Sequence, residues 1–150
     1  MKNTILPLDK SLKYIHIGMY IKQKVEEKGI PMSRICNFFQ LAEEDIHKFY
    51  NREEIETSIL LKWSKLLDYD FFRIYTGHLI LYSPAVKDQN IKPSELPVFR
   101  KNIYTKEVID YLVELITENK KTVTDVIEYY GIPKTTIYKW LRKSNCQILR

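Results

Sequence analysis

The stretch YYGIPKTTIYKWLRK, residues 129–143, decides how the C-terminal part of the chain folds. It holds one of the chain's four glycines, followed by four basic residues with no acidic residue among them. Apolar residues recur at helical spacing on both sides of Gly131, which predicts two short helices joined by a tight turn at that glycine. Proline fits the first turn of a helix, so the second helix is expected to begin near Pro133.

Two helices joined in this way form a helix-turn-helix, whose packing requires apolar residues at fixed offsets from the turn residue. The offsets are five and one residues before it, and one, six and nine residues after it. Counted from Gly131, they fall on Val126, Tyr130, Ile132, Ile137 and Trp140. Trp140 is expected to close the second helix onto the first helix of the domain. One position departs from the pattern, since Ile127 stands where a small residue is usual.

The opposite side of the second helix carries the candidate DNA-binding residues. They are Pro133, Lys134, Thr135, Tyr138, Lys139, Arg142 and Lys143. Lysine and arginine can neutralise phosphates or pair with guanine edges, and hydroxyl side chains can do either by hydrogen bonding. No carboxylate on this side repels a phosphate. We therefore expect this helix to enter the major groove of double-stranded DNA.

Residues 130–143 resemble the helix-turn-helix of transposase-type proteins of bacterial insertion elements, including the small first-frame products of two-gene elements. The shared pattern is a glycine, a short turn, Thr-(Ile/Val)-Tyr-(Lys/Arg)-Trp and a basic end. In this chain it runs from Gly131 through residues 136–140 to Arg142 and Lys143. Together with the helices that flank this motif, the resemblance covers roughly 40 of the 150 residues. It implies binding of the element's terminal DNA, not catalysis. The acidic triad of a transposase would need a ribonuclease-H-like α/β domain, and no alternating strand–helix pattern is present to hold one.

Helical periodicity extends over the rest of the chain, with one interruption. A helix with Thr105 as N-cap is expected to bury a face formed by Ile109, Leu112, Val113 and Ile116, and a second begins near Thr122 or Thr124. The acidic residues Glu107, Asp110, Glu114 and Glu118 lie away from that face and are interpreted as solvated. Three prolines between residues 83 and 104 predict an extended linker.

The N-terminal part repeats the pattern. With Gln40 in the turn, the five apolar offsets fall on Ile35, Phe39, Leu41, Ile46 and Phe49. A helix ending at Gly29 precedes this pair, a helix with Ser58 as N-cap follows it, and DFFRIYTGHLILY predicts a fifth. The order is similar to that of the five-helix phage-repressor-type domain. We thus expect an all-α protein with two helix-turn-helix domains, 1–82 and 105–150, joined by the linker 83–104.

The two copies differ in charge. The expected outer face of the N-terminal recognition helix presents Ala42, Glu43, Glu44, His47, Lys48 and Asn51, with Asp45 beside it. Acidic side chains stabilise a helix N-terminus, but they repel a phosphate. This copy is therefore expected to dimerise or to recruit a partner, with the apolar fifth helix either forming that surface or closing the core.

Composition limits the remaining possibilities. Residues 1–82 carry 12 basic against 11 acidic residues and residues 83–150 carry 12 against 8, so most of the net charge of +5 lies in the second part. Cys36 and Cys146 form neither a disulfide framework nor a zinc site, and no signal peptide or membrane span is evident. We expect a cytoplasmic, non-enzymatic protein without cofactor or small-molecule substrate. It would bind DNA in transposition or transcription regulation. The alternatives are a protein-interaction adaptor, partnering itself or a recombinase, and an RNA-binding protein.

Overall fold

The structure is a computed structural model that describes residues 11–83, 92–97 and 103–148, with side chains to residue 145 in the last helix. Within these ranges the fold is all-α, with eight helices and no strand. They are α1 (Ile17–Lys28), α2 (Met32–Phe39), α3 (Glu43–Tyr50), α4 (Thr57–Leu67), α5 (Phe72–Tyr82), α6 (Lys106–Thr117), α7 (Val123–Tyr130) and α8 (Lys134–Ile148). None of these described helices is long and apolar enough to cross a membrane.

The chain divides into two compact units, Met1–Tyr75 and Thr76–Arg150, and the division falls within α5. Most of the sequence expected to form a linker, residues 84–91 and 98–102, lies outside the described residues. The part that is described, residues 92–97, is exposed and contains no helix. The domain limits inferred from sequence therefore stay predictions.

Unit 1 has an aromatic core centred on the fully buried Trp63 of α4. The centroid of its ring lies 4.5 Å from that of Phe39 and 6.2 Å from that of Phe49. α1 packs against α3 and α4, and α2 packs against α3. Four of the five expected packing residues are buried, but the expectation for Leu41 is wrong, because its side chain is 37% exposed. Residues 40–42 form a turn at the surface of the unit, and Leu41 is therefore exposed together with its neighbours.

Gly18 allows α1 to begin directly against the end of α3. Its backbone N–H donates to the carbonyl oxygen of Arg52 over 3.1 Å. A Cβ at this position would lie 2.6 Å from the carbonyl oxygen of Tyr50 and 2.7 Å from that of Arg52. Glycine is needed here because any larger side chain would push the two helices apart.

Several helix ends follow the local sequence signals. The Thr105 hydroxyl accepts from the Val108 N–H, and Gly29 ends α1 in the left-handed region at φ 61°. The expectation that Ser58 caps α4 is wrong. The carbonyl oxygen of Glu56 already accepts the first helical hydrogen bonds, and α4 begins at Thr57.

The described helices α6, α7 and α8 of unit 2 share a small apolar core. α8 packs against both α6 and α7. The expected core face of α6 is displaced. Of its residues Leu112 is buried, but Ile109, Val113 and Ile116 are only half-buried. The other buried residues of α6 are Val108 and Leu115. α6 is apolar over a wide arc, so its position against α8 decides which part of the arc becomes the centre of the core.

A candidate nucleic-acid interface on the last helix

The turn between α7 and α8 depends on the backbone of two residues. Gly131 ends α7 in the left-handed region at φ 65°, which glycine adopts at no steric cost. Pro133 directly precedes α8, and its carbonyl oxygen accepts from the N–H groups of Thr136 over 3.0 Å and Ile137 over 3.3 Å. The reversal from α7 into α8 thus takes three residues, 131–133, as the sequence pattern predicts.

α7 is fixed at its other end by reciprocal hydrogen bonds. The Thr122 hydroxyl accepts from the Asp125 N–H over 3.1 Å, and the Asp125 carboxylate accepts from the Thr122 N–H over 2.9 Å. Hydrogen bonding of the Asp125 carboxylate to Thr122, first to its side chain and then to its backbone N–H, lowers the pKa of Asp125. Both ends of this eight-residue helix are therefore specified by the sequence at those ends.

The inner side of α8 is anchored in the core. Val126, Ile132 and Ile137 are at most 1% exposed, as expected from their offsets to the glycine. Trp140 is half-buried, and its ring meets that of Tyr104, just before α6, edge-on with 5.1 Å between centroids. Burial raises the pKa of Tyr104. These contacts hold α8 in one rotational setting about its axis.

The residues expected to bind DNA lie on the outer side of α8 and at the position just before it. All seven side chains are exposed, namely Pro133, Lys134, Thr135, Tyr138, Lys139, Arg142 and Lys143. A helix advances by about 100° per residue, which places the six that belong to α8 on one continuous arc of about 180°. Residues 136, 137, 140, 141 and 144 occupy the remaining arc and are buried or half-buried. The tertiary structure therefore brings the predicted residues together on one surface.

All the charged side chains of α8 on this surface are cationic. Lys134, Lys139, Arg142 and Lys143 share it with no acidic residue of α8. No carboxylate of the described residues lies within 4.0 Å of their charged groups. The Lys134 ammonium lies 5.8 Å from the centroid of the Tyr138 ring, a cation–π contact at i, i+4. The four charges are thus available to an anionic ligand.

Tyr129 adds to the exposed aromatic surface near the turn, and the sequence pattern did not select it. Its side chain is 52% exposed, and the Lys121 ammonium lies 5.0 Å from the centroid of its ring. The residue stands two positions before Gly131, outside the five packing offsets. Its signal in the sequence is the pair of adjacent tyrosines at the end of α7, of which Tyr130 is half-buried and Tyr129 is not.

The corresponding helix pair of unit 1, α2 and α3, has the opposite charge on its outer side. The first turn of α3 holds Glu43, Glu44 and Asp45. The Lys48 ammonium lies 2.6 Å from the Asp45 carboxylate, and the His47 imidazole lies 3.4 Å from the Glu43 carboxylate. With three acids and one lysine, α3 has a formal net charge of −2.

Comparisons of the chain with models of protein families, with curated proteins and with solved structures found no match.

Proposed function

We propose that the protein binds double-stranded DNA through α8, which acts as the recognition helix of a helix-turn-helix formed with α7. The observation that carries this proposal is the division of α8 into a fixed inner side and an exposed, uniformly cationic outer side. An α-helix fits the major groove, and lysine and arginine side chains on its outer side reach both phosphates and base edges.

The lack of acidic partners around these cations, within the described part of the chain, favours a DNA-binding surface over one that is merely solvated. Exposed lysines commonly meet acids at i, i+3 or i, i+4, as Lys48 does on α3 and Lys24 does on α1. On α8 such acids are lacking from residue 134 to residue 143. Four like charges on ten residues repel one another, and a polyanion relieves that repulsion.

The resemblance of residues 130–143 to transposase-type proteins supports a role with a bacterial mobile element. On this proposal the chain binds the DNA ends of the element or an operator near its genes, in transposition or in regulation of transcription. It supplies DNA recognition and no catalytic chemistry. The phage-repressor-like order of α1–α5 supports a second helix-turn-helix in unit 1.

Binding to labelled duplex tests the proposal. The full chain and a variant with Lys139→Ala and Arg142→Ala would be titrated by fluorescence anisotropy against a 30-base-pair duplex pool of mixed sequence. We expect the parent to bind with a dissociation constant of about 10⁻⁶–10⁻⁴ M at physiological salt, the range of non-specific binding, and the variant to bind more weakly. A structured RNA of equal length serves as competitor.

A matched variant with Lys62→Ala and Lys65→Ala, both exposed on α4, removes the same charge elsewhere and should bind like the parent. The proposal is refuted if the parent does not bind duplex at low salt, if the Lys139/Arg142 variant binds as well as the parent, or if the RNA competes more strongly than the duplex.

The acidic α3 favours a second function for unit 1. We propose that this unit contacts protein, either a second copy of the chain or a recombinase, because three acids at the start of α3 repel phosphate. Sedimentation of the full chain tests self-association. Substantial duplex binding by the Lys139/Arg142 variant, lost on further substitution of Lys48, would contradict this division and favour two DNA-reading units.

A further inference from the structure

The exposed arc of α8 has a centre and two flanks. Taking Thr135 as the reference and about 100° per residue, Arg142 lies about 20° away, Lys139 about 40° and Tyr138 about 60°. Lys134 lies about 100° to one side and Lys143 about 80° to the other. The anchored inner side, with Ile137 fully buried, fixes these directions in the folded unit. A helix in the major groove turns the centre of such an arc toward the base pairs and its flanks toward the two phosphate strands.

The chemistry of the central residues is selective. Arginine and lysine pair with the O6 and N7 acceptors of guanine, and methyl groups or aromatic edges contact the methyl group of thymine. Lys139 and Arg142 supply the first type of group, and Thr135 and Tyr138 supply the second. Asparagine or glutamine, which read adenine, and carboxylates, which accept from cytosine, are lacking between residues 133 and 143. The exposed Asn145 follows Arg142 by three residues and lies on a flank of the arc.

The positions along the axis limit the length of DNA that is read. From Thr135 to Arg142 is about 10.5 Å at 1.5 Å per residue, which corresponds to about three base-pair steps of 3.4 Å. Lys139 and Arg142 are separated by about 4.5 Å, close to one step. Both guanine-reading residues therefore lie toward the C-terminal end of the exposed arc, and both thymine-reading residues lie toward the turn.

We propose that α8 selects sites in which guanines contacted by Lys139 and Arg142 lie within about four base pairs of thymines contacted by Thr135 and Tyr138, while Lys134 and Lys143 hold the phosphates on either side. This inference rests on the proposed DNA binding and adds the class of target sequence. It also assigns different roles to neighbouring cations on the selected site, since Arg142 confers specificity there and Lys143 does not. On other sequences all four cations lie against phosphates, which is why Lys139 and Arg142 also contribute to non-specific binding.

The test is selection of bound duplexes from a random-sequence library, followed by sequencing, with the full chain and two variants. Arg142→Gln replaces a guanine-reading group with one that pairs bidentately with adenine. Lys143→Gln makes the same chemical change one residue away, on the flank. Both side chains are exposed, so neither change removes a core contact, and circular dichroism checks that the helices are retained.

We expect the parent to enrich guanine and thymine within one short window. Arg142→Gln should exchange guanine for adenine at one position, with the parental site losing on the order of 5- to 150-fold in affinity. Lys143→Gln should weaken all duplexes alike and keep the parental preference. The inference is overturned if the parent enriches a motif without guanine, if Arg142→Gln keeps the parental preference, or if Lys143→Gln alone changes it. If no variant and no parent binds duplex at low salt, the proposed function itself fails.

Discussion

The salt dependence of DNA binding gives the most direct measure of how α8 meets the phosphates. A double variant with Lys134→Ala and Lys143→Ala removes both flanking charges and leaves the centre of the exposed arc unchanged. Each neutralised phosphate contributes about −0.9 to the slope of log K against log salt concentration. Two contacts therefore contribute about −1.8, so a rise from 50 to 200 mM salt costs about 12-fold in affinity through this pair.

Fluorescence anisotropy with one duplex at four salt concentrations between these limits measures the slope. The double variant should show a slope smaller in magnitude by about 1.8 than that of the parent. The exposed α4 pair, as Lys62→Ala with Lys65→Ala, removes an equal charge and should leave the slope nearly unchanged. A change of less than about 0.5 in the α8 variant, or an equal change in the α4 variant, would refute the assignment of these lysines to phosphates.

Three further predictions concern the scaffold. Gly18→Ala should lower the free energy of unfolding of unit 1 by about 2 kcal/mol or more. The added Cβ would clash with the Arg52 carbonyl, and backbone hydrogen bonds would be lost. An unchanged Tm in thermal unfolding would contradict this prediction. Burial, as the largest cause, raises the pKa of Tyr50 to about 12, so the parent should lose stability as the pH rises from 10 to 12. Tyr50→Phe should remove that part of the loss in denaturant unfolding at each pH. Thr122→Ala should lower the stability of α7 by about 1 kcal/mol, because the side-chain cap is lost. It should also return the pKa of Asp125 toward its ordinary value, which an NMR titration measures. A pKa that stays low would show that the Thr122 side chain is not what lowers it.

The region around Gly131 was predictable because its signals are local. A glycine that takes positive φ, a proline before a helix and a threonine three residues before an aspartate each act through their own backbone neighbours. The structure has the turn at 131–133 and α8 from Lys134, in agreement with those signals. Of the two starts considered for α7, Thr122 and Thr124, it has Thr122 as the N-cap. The exposure of all seven selected residues follows, since helical periodicity and burial of Ile137 leave α8 one possible outer side.

Features that involve partners distant in the sequence were not predictable. The buried residues of α6 are Val108, Leu112 and Leu115, and α6 packs against α8. The periodicity of a widely apolar helix does not indicate which part of its arc will be covered. The need for glycine at position 18 comes from carbonyl groups more than 30 residues away, which the residues around Gly18 do not reveal.

The sequence by itself determined the all-α character of the described residues, the helix ends at Gly29 and Gly131, and the contrast between an acidic α3 and a cationic α8. Propensity, capping and charge are properties of residues close together in the chain, and so they can be read from it directly. The tertiary structure alone decided that Leu41 lies outside the core and that Trp140 meets Tyr104. The reason is that the rotational setting of a helix is fixed by what covers it, and in unit 2 that cover is α6 and α7.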